Sequence, residues 1–272
     1  MNKVSSDMLR IGQLEMLNIL NEIDRICRKY QIDYWLEFET LLGAIRHEGF
    51  IPWDDDCDIG MMRSDFNRFK DVISKELSTE FFFQTKETDP KCWRKMAKIR
   101  SNKIKMVEHD ESLNESYHQG VYIDIFIYDF YPKWALSVAS IINTCQNIRK
   151  LRKKFPKKSL SRNLVNLACL PVTIFYYFFK YLVGFLFRRT QSEPSDYVGS
   201  GMDQSGAFYL TESSNIFPIC RQAKFENKYF YIPNKSEQIL NNLYGDYLVL
   251  PKVEDRINHS KCICFFENAS SN

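Results

Sequence analysis

The chain has 272 residues, with 37 Lys and Arg against 34 Asp and Glu, a formal charge of +3, and 15% aromatic content. That balance, at 44% hydrophobic, describes one large or two ordinary folded domains and excludes a disordered chain. Eight cysteines form no CxxC pair and four histidines lack metal-ligand spacing, so no zinc site or redox dithiol is expected. The predicted setting is a reducing cytoplasm.

The opening "MNKVSSDMLRIGQLEML" has no apolar signal core, so export by that route is not predicted. Residues 5–30 place Met8, Ile11, Leu14, Leu17, Leu20, Ile23 and Ile26 at near-helical spacing after a Ser5-Ser6-Asp7 cap. "DYWLEF" reads as a strand, and Thr40 as the cap of a short helix, "LLGAIRHE". "FIPW" is a rigid entry loop, because Pro52 fixes its own φ and biases Ile51 to extended geometry. "CDIGMM" is strand-like, Ser64 caps the helix "DFNRFKDVISKEL", and "EFFFQT", "KMAKIR" and "GVYIDIFIYDF" follow as strands. This mixture without βαβ regularity is an α+β pattern.

Residues 131–192 change character. From Phe130 to Ser192 there is no acidic residue and there are twelve Lys or Arg, which leaves 25 basic against 34 acidic residues elsewhere. The division predicted is a core over 1–130, a helical basic and aromatic insertion over 131–192, and a part over 193–272 that completes the core. The stretch 167–187 is as long as a membrane span. Lys180 would cost roughly 3 kcal/mol near a span's centre, and Pro171 interrupts its start, so spanning is disfavoured. The remaining readings are an interfacial segment on anionic lipid and a helical hairpin packed on the core. A nucleic-acid partner is not expected, since the acidic remainder would repel a duplex.

"FIPWDDDCDIG" carries Asp54, Asp55, Asp56 and Asp58 among apolar residues. Read as an EF-hand loop it fails: Ile59 stands where glycine is needed and Asp65 where glutamate is needed. A solvated acidic turn leaves the interleaved Trp53, Cys57, Ile59 and Met61 unexplained. Alternation puts Asp54, Asp56 and Asp58 on one face of an extended segment. Carboxylates at i and i+2 are roughly 7 Å apart at Cα and converge on a hard cation such as Mg2+, with Mn2+ as the alternative. Asp124, in the apolar strand "GVYIDIF", is either a third carboxylate or a strand-end acid facing water. Cys57 reads as a small packed residue.

"TLLGAIRHEGFIPWDDDCDIG" closely resembles the LicD family signature, and "GVYIDIF", "KFENKYFYIP" and "LYGDYLVLP...RINH" resemble later blocks of the same family. The resemblance implies a nucleotidyltransferase-like mixed β-sheet core flanked by helices. It implies Mg2+-dependent transfer of phosphocholine or a polyol phosphate from a CDP-linked alcohol donor to a cell-surface glycan or lipid-linked glycan, with release of CMP. Under it, Thr40 takes the hydroxyl position, Asp56 and Asp58 the metal-binding pair, Asp54 a further ligand position, and Asp124 the third carboxylate and proton acceptor. Arg46 and His47 either contact the donor diphosphate or end a solvated helical turn. Lys98 and Arg100 either bind phosphate or form a surface ladder. One departure stands out: Glu39 precedes Thr40 where glycine is expected. Either Glu39 points away, or the donor site is altered, or the chain is a weak, binding-only relative. An enzyme working peripherally at the inner face of the membrane is the expectation that combines these readings.

Overall fold

The computed structural model describes residues 4–150, 160–187, 194–200, 208–256 and 258–266. Helix α1 (Ser6–Tyr30) starts where the Ser5 hydroxyl accepts from the Met8 N–H at 3.3 Å and stops at Gln31, whose φ of 52° is left-handed. Of the residues that the periodicity marks, Leu17, Leu20, Ile23 and Ile26 are buried, Met8 and Ile11 are half-buried and Leu14 is exposed, while Met16 and Ile19 join the buried stripe. Strand β1 is only Trp35–Leu36, shorter than "DYWLEF" suggests. Helix α2 (Phe38–His47) begins two residues before Thr40, with Glu37 in the N-cap position. Phe38 enters it at a φ of 44°, unusual for a non-glycine residue, with its ring edge-on to Phe126 at 4.7 Å.

Strand β2 (Asp58–Met62) is buried at all five positions. It pairs antiparallel with β1, Trp35 opposite Gly60. A Cβ on Gly60 would lie 2.3 Å from the Trp35 ring, so only glycine lets the indole cross the strand there. Helix α3 (Arg63–Glu76) follows Met62 directly, without a side-chain cap from Ser64. Strands β3 (Phe81–Gln84), β4 (Ala97–Glu108) and β5 (Gly120–Tyr131) complete the run.

The next stretch holds helices α4 (Ala135–Lys150), α5 (Leu160–Ala168) and α6 (Leu170–Phe187), then strands β6 (Tyr197–Ser200) and β7 (Tyr209–Glu212). After the single turn α7 (Ser213–Ile216), strands β8 (Arg221–Phe225) and β9 (Lys228–Ile232) form a hairpin. Helix α8 (Ser236–Tyr244) and strand β10 (Ser260–Phe265) end the described chain.

Two compact units result, one of residues 1–127 with 214–272 and one of residues 128–213. In the first, the strand order is β1-β2-β5-β4-β10, with β3 also on β4. The α+β arrangement expected from the sequence is the one found. Charge alone marked residues 131–192. Packing sets the second unit wider, because β6 pairs with Asp129–Tyr131 and β7 pairs with β6. The core of the second unit joins Ala135, Val138, Ala139 and Ile142 of α4 to Tyr176, Val172 and Phe179 of α6 and to Phe208. Asn143 locks it by bonding both the N–H and the carbonyl of Phe208, at 3.0 and 2.9 Å. Among the described residues no helix is long and apolar enough to cross a membrane. The basic run over 151–159, with Arg188 and Arg189, lies outside the described residues.

Candidate active site

The acidic loop is held from three directions before any ligand is considered. Gln13 of α1 donates to the carbonyls of Ile51 and Asp54 at 3.1 and 2.8 Å. Glu226, in the β8–β9 turn, accepts two bonds from Arg10 and one from the Phe50 N–H. Asp55 is spent on structure: its carboxylate accepts from the N–H groups of His259 and Ser260 and ties the loop to the start of β10.

The alternate acids behave differently. Asp54, Asp56 and Glu39 line one cavity of about 640 Å³. Asp58 does not line it, but feels Asp56, Asp124, Glu39 and Asp54. Burial pushes the Asp58 and Asp54 carboxyls well above the usual range, and the neighbouring Asp56 charge pushes both further. Burial, followed by Glu39, raises Asp56 to about 6. Asp56 Oδ1 is buried, the Asp54 and Asp56 carboxyls share a side-chain hydrogen bond, and Asp56 Oδ2 lies 4.0 Å from His259 Nε2. Carboxylates massed this way ionise together only with a cation among them. Among the described residues, no three carboxylate, imidazole or thiol groups stand close enough together to hold a metal ion, so Asp54, Asp56 and Asp58 as placed do not form a ready three-ligand site.

The structure repositions several residues chosen from the sequence. Thr40 sits inside α2 and does not cap it: its Oγ1 accepts from the Asp58 N–H at 2.8 Å, fixing the first residue of β2. Asp124 sits outside the cavity and pairs with Lys98 at 2.5 Å, directly opposite it on β4. Lys98 and Arg100 share a strand face, but they form no surface ladder, for both are buried. Lys98 Nζ lies 3.4 Å from the centroid of the Tyr122 ring. Burial lowers its ammonium pKa and the Asp124 charge offsets part of that. Arg100 donates to Gln84 and to the Gly120 carbonyl, and its guanidinium carbon lies 4.8 Å from the Tyr122 ring centroid, so it holds the sheet together. Arg46 does line the cavity, half-buried, with one guanidinium nitrogen donating to the Tyr247 carbonyl at 2.6 Å. Burial draws its pKa down. His47 lies outside the lining, its ring edge-on to Trp53, and burial then Arg46 lower its pKa.

Glu39 does not point away. It lines the cavity beside Asp54 and Asp56 and bonds the Tyr244 hydroxyl, whose pKa is raised by burial first and by the Glu39 charge second. Cys57 is fully buried, its thiol pushed well up by desolvation, which makes it the packed residue expected.

The far wall was missing from the sequence reading. Tyr244, Asp246 and Tyr247 at the end of α8, the apolar run Val249–Pro251, Asp255 and His259 close the cavity from some 200 positions away. Arg256 stacks on Trp53, its guanidinium carbon 4.0 Å from the ring centroid. The block "LYGDYLVLP...RINH" was the only signal for this wall. It marks the segment without telling which side chains turn inward.

The family model for the LicD/FKTN/FKRP nucleotidyltransferase domain matches residues 31–171. The lipopolysaccharide cholinephosphotransferase LicD of Haemophilus influenzae is 31% identical over 264 residues, 92% of this chain and 95% of that protein. An uncharacterized protein of Rickettsia prowazekii, RP689, is 25% identical over 53% of this chain and 55% of its own. The human ribitol 5-phosphate transferase FKRP is 42% identical over a short segment, 16% of this chain and 9% of that protein.

Proposed function

This chain belongs to the LicD/FKTN/FKRP nucleotidyltransferase-domain family, and we propose that it transfers a phospho-alcohol from a CDP-linked donor to a hydroxyl of a cell-surface glycan, releasing CMP. One observation carries the reading: the crowded, mostly buried carboxylates Asp54, Asp56 and Glu39 line a cavity that Arg46 and His259 also line, with more acid than base facing it. Asp56 and Asp58, with Asp54, would hold Mg2+ or Mn2+, and Asp124 would stand behind them as the Lys98-paired acid that orders β5. When bound, the ion neutralises the donor diphosphate and stabilises the charge of the departing CMP.

The chain's own groups do the rest. Arg46, which lines the cavity, and Arg256, which stacks on the lining residue Trp53, would be the diphosphate and CMP partners. The acceptor oxygen attacks the phosphorus that carries the alcohol, the bond from that phosphorus to the CMP oxygen breaks, and the acceptor's proton passes to a cavity carboxylate. Asp54 and Asp56 line the cavity and Asp124 does not, so the proton acceptor is better sought in the first pair than in Asp124. Glu39, Tyr244, Tyr247 and Asp246 make an acidic and aromatic wall that suits a cationic alcohol better than a polyol. Together with the Haemophilus relative's printed activity, this makes CDP-choline the first donor to test.

CMP release should be measured with Mg2+, candidate glycans and a panel of CDP-choline, CDP-ribitol and CDP-glycerol. Release from one donor, lost in Asp56→Ala, supports the transferase. No release from any donor supports a second reading, a binding-only relative, for which the specific observation is the extra charge of Glu39 in the cavity. Glu39→Gly then separates the two: restored release means a native site impaired by that one residue.

A further inference from the structure

Helix α6 is apolar on two opposite faces, and the described residues cover only one of them. Val172, Tyr176 and Phe179 face α4 in the core of the second unit. On the other side Leu170, Ile174, Phe178 and Tyr181 are 50–76% exposed. The stripe starts earlier, since Leu164 and Leu167 of α5 are 60% and 68% exposed. Hydrogen bonds from the Cys169 N–H to Val165 and from the Thr173 N–H to Cys169 carry the helical path from α5 into α6, past Pro171. Along that path the six residues recur at three- and four-residue intervals, which places them on one side. A helix apolar all round belongs in a core or in lipid, and a run of large exposed apolar side chains marks an interaction surface.

We propose that this uncovered stripe lies flat in the headgroup boundary of an anionic phospholipid bilayer. Charge selects the occupant. The chain from Phe130 to Ser192 has twelve Lys and Arg and no acid, which attracts an anionic leaflet. A second copy would bring a second set of the same positive charge, so self-association through the stripe is disfavoured. The aromatic share of the stripe suits an interface, where rings sit between headgroups and chains. Lys180, inside α6, sits off the stripe with its Nζ 5.9 Å from the Tyr176 ring centroid, so its stem can lie along the surface and its ammonium reach phosphate. Spanning is a different matter, and no described helix is apolar enough for it. The proposal is independent of the transferase reading.

The test is flotation of the full chain with vesicles of phosphatidylcholine alone and with about a third phosphatidylglycerol, at low and high salt. The chain is expected to float with the anionic vesicles at low salt and much less at high salt. Binding to neutral vesicles should be at least about tenfold weaker. The double substitution Ile174→Ser with Phe178→Ser should cut flotation at least about tenfold while leaving the melting temperature unchanged, since both side chains are exposed. Failure to float at low salt would overturn the proposal, as would equal flotation with neutral vesicles. A lipid-free dimer that the same double substitution dissolves would assign the stripe to a second copy instead.

Discussion

The acid-lined cavity of the first unit and the bare side of α6 in the second are both left unfinished by the chain, for opposite reasons. Around the cavity the missing element is charge: the loop is fixed by Gln13, Glu226 and Asp55 whether or not anything binds. Along α6 it is apolar cover, since among the described residues nothing buries Leu170, Ile174, Phe178 and Tyr181. Rigid backbone around unpaired carboxylates favours a small hard ion and its phosphate. A smooth, exposed row of rings and aliphatic chains favours a deformable partner with no fixed contacts. The kind of incompleteness tells which kind of ligand to look for.

Within the acidic run the contrast is sharpest between neighbours, and it predicts the largest effect. Asp56→Asn should lower CMP release at least about a hundredfold with the melting temperature maintained or raised, because a buried charge at the reacting end is removed. Asp55→Asn should do the reverse. It weakens the bonds to the His259 and Ser260 N–H groups at a cost of roughly 1–3 kcal/mol, read as a lower melting temperature. Equal activity losses with equal melting shifts would erase the distinction drawn between them.

A second effect is set by pH. Asp56 ionises near 6 in the folded chain, against about 3.9 when unfolded. The folded state therefore holds more protons in that window, and stability falls as pH rises through it. Asp54 and Asp58, raised further by burial, extend the loss to higher pH. His118, lowered to about 4 by burial, works the other way in the same window, so the acid contribution is read against Asp56→Asn: between about pH 5 and about pH 8 the metal-free wild type should lose roughly 2–5 °C more than the variant does. Mg2+ should close most of that gap at the higher pH and do little at the lower. A melting temperature indifferent to both would contradict the charge-crowded cavity.

The smallest effect concerns Thr40. Thr40→Val removes the acceptor for the Asp58 N–H and should cost about 1–2 kcal/mol, with a modest loss of turnover through misplacement of Asp58. A large rise in the donor's KM at unchanged stability would instead return the hydroxyl to the ligand.

Much of this was legible in the sequence because local rules carried it. Ser5 begins α1, Leu17, Leu20, Ile23 and Ile26 of that helix are buried as its period marks them, and alternation separates Asp54 and Asp56 from the structural Asp55. Three features were hidden for physical reasons. The start of α2 depends on Phe38 taking a left-handed φ, which no propensity anticipates for phenylalanine. Lys98 and Arg100 alternate with apolar residues as an exposed face would, yet β4 is buried on both sides and its cations are absorbed by Asp124, Gln84 and Tyr122. The wall from Tyr244 to His259 meets the acids only through the tertiary fold, and a linear reading could mark the segment but not its inward side chains.

The most direct test of the central claim is calorimetric titration of CDP-choline into the wild-type chain, with Mg2+ and with chelator, repeated in Asp56→Ala. Saturable binding that requires Mg2+ and disappears in the variant is the predicted result. Binding of equal strength with chelator present, or retained in Asp56→Ala, would mean that the crowded carboxylates do not await a cation arriving with a nucleotide.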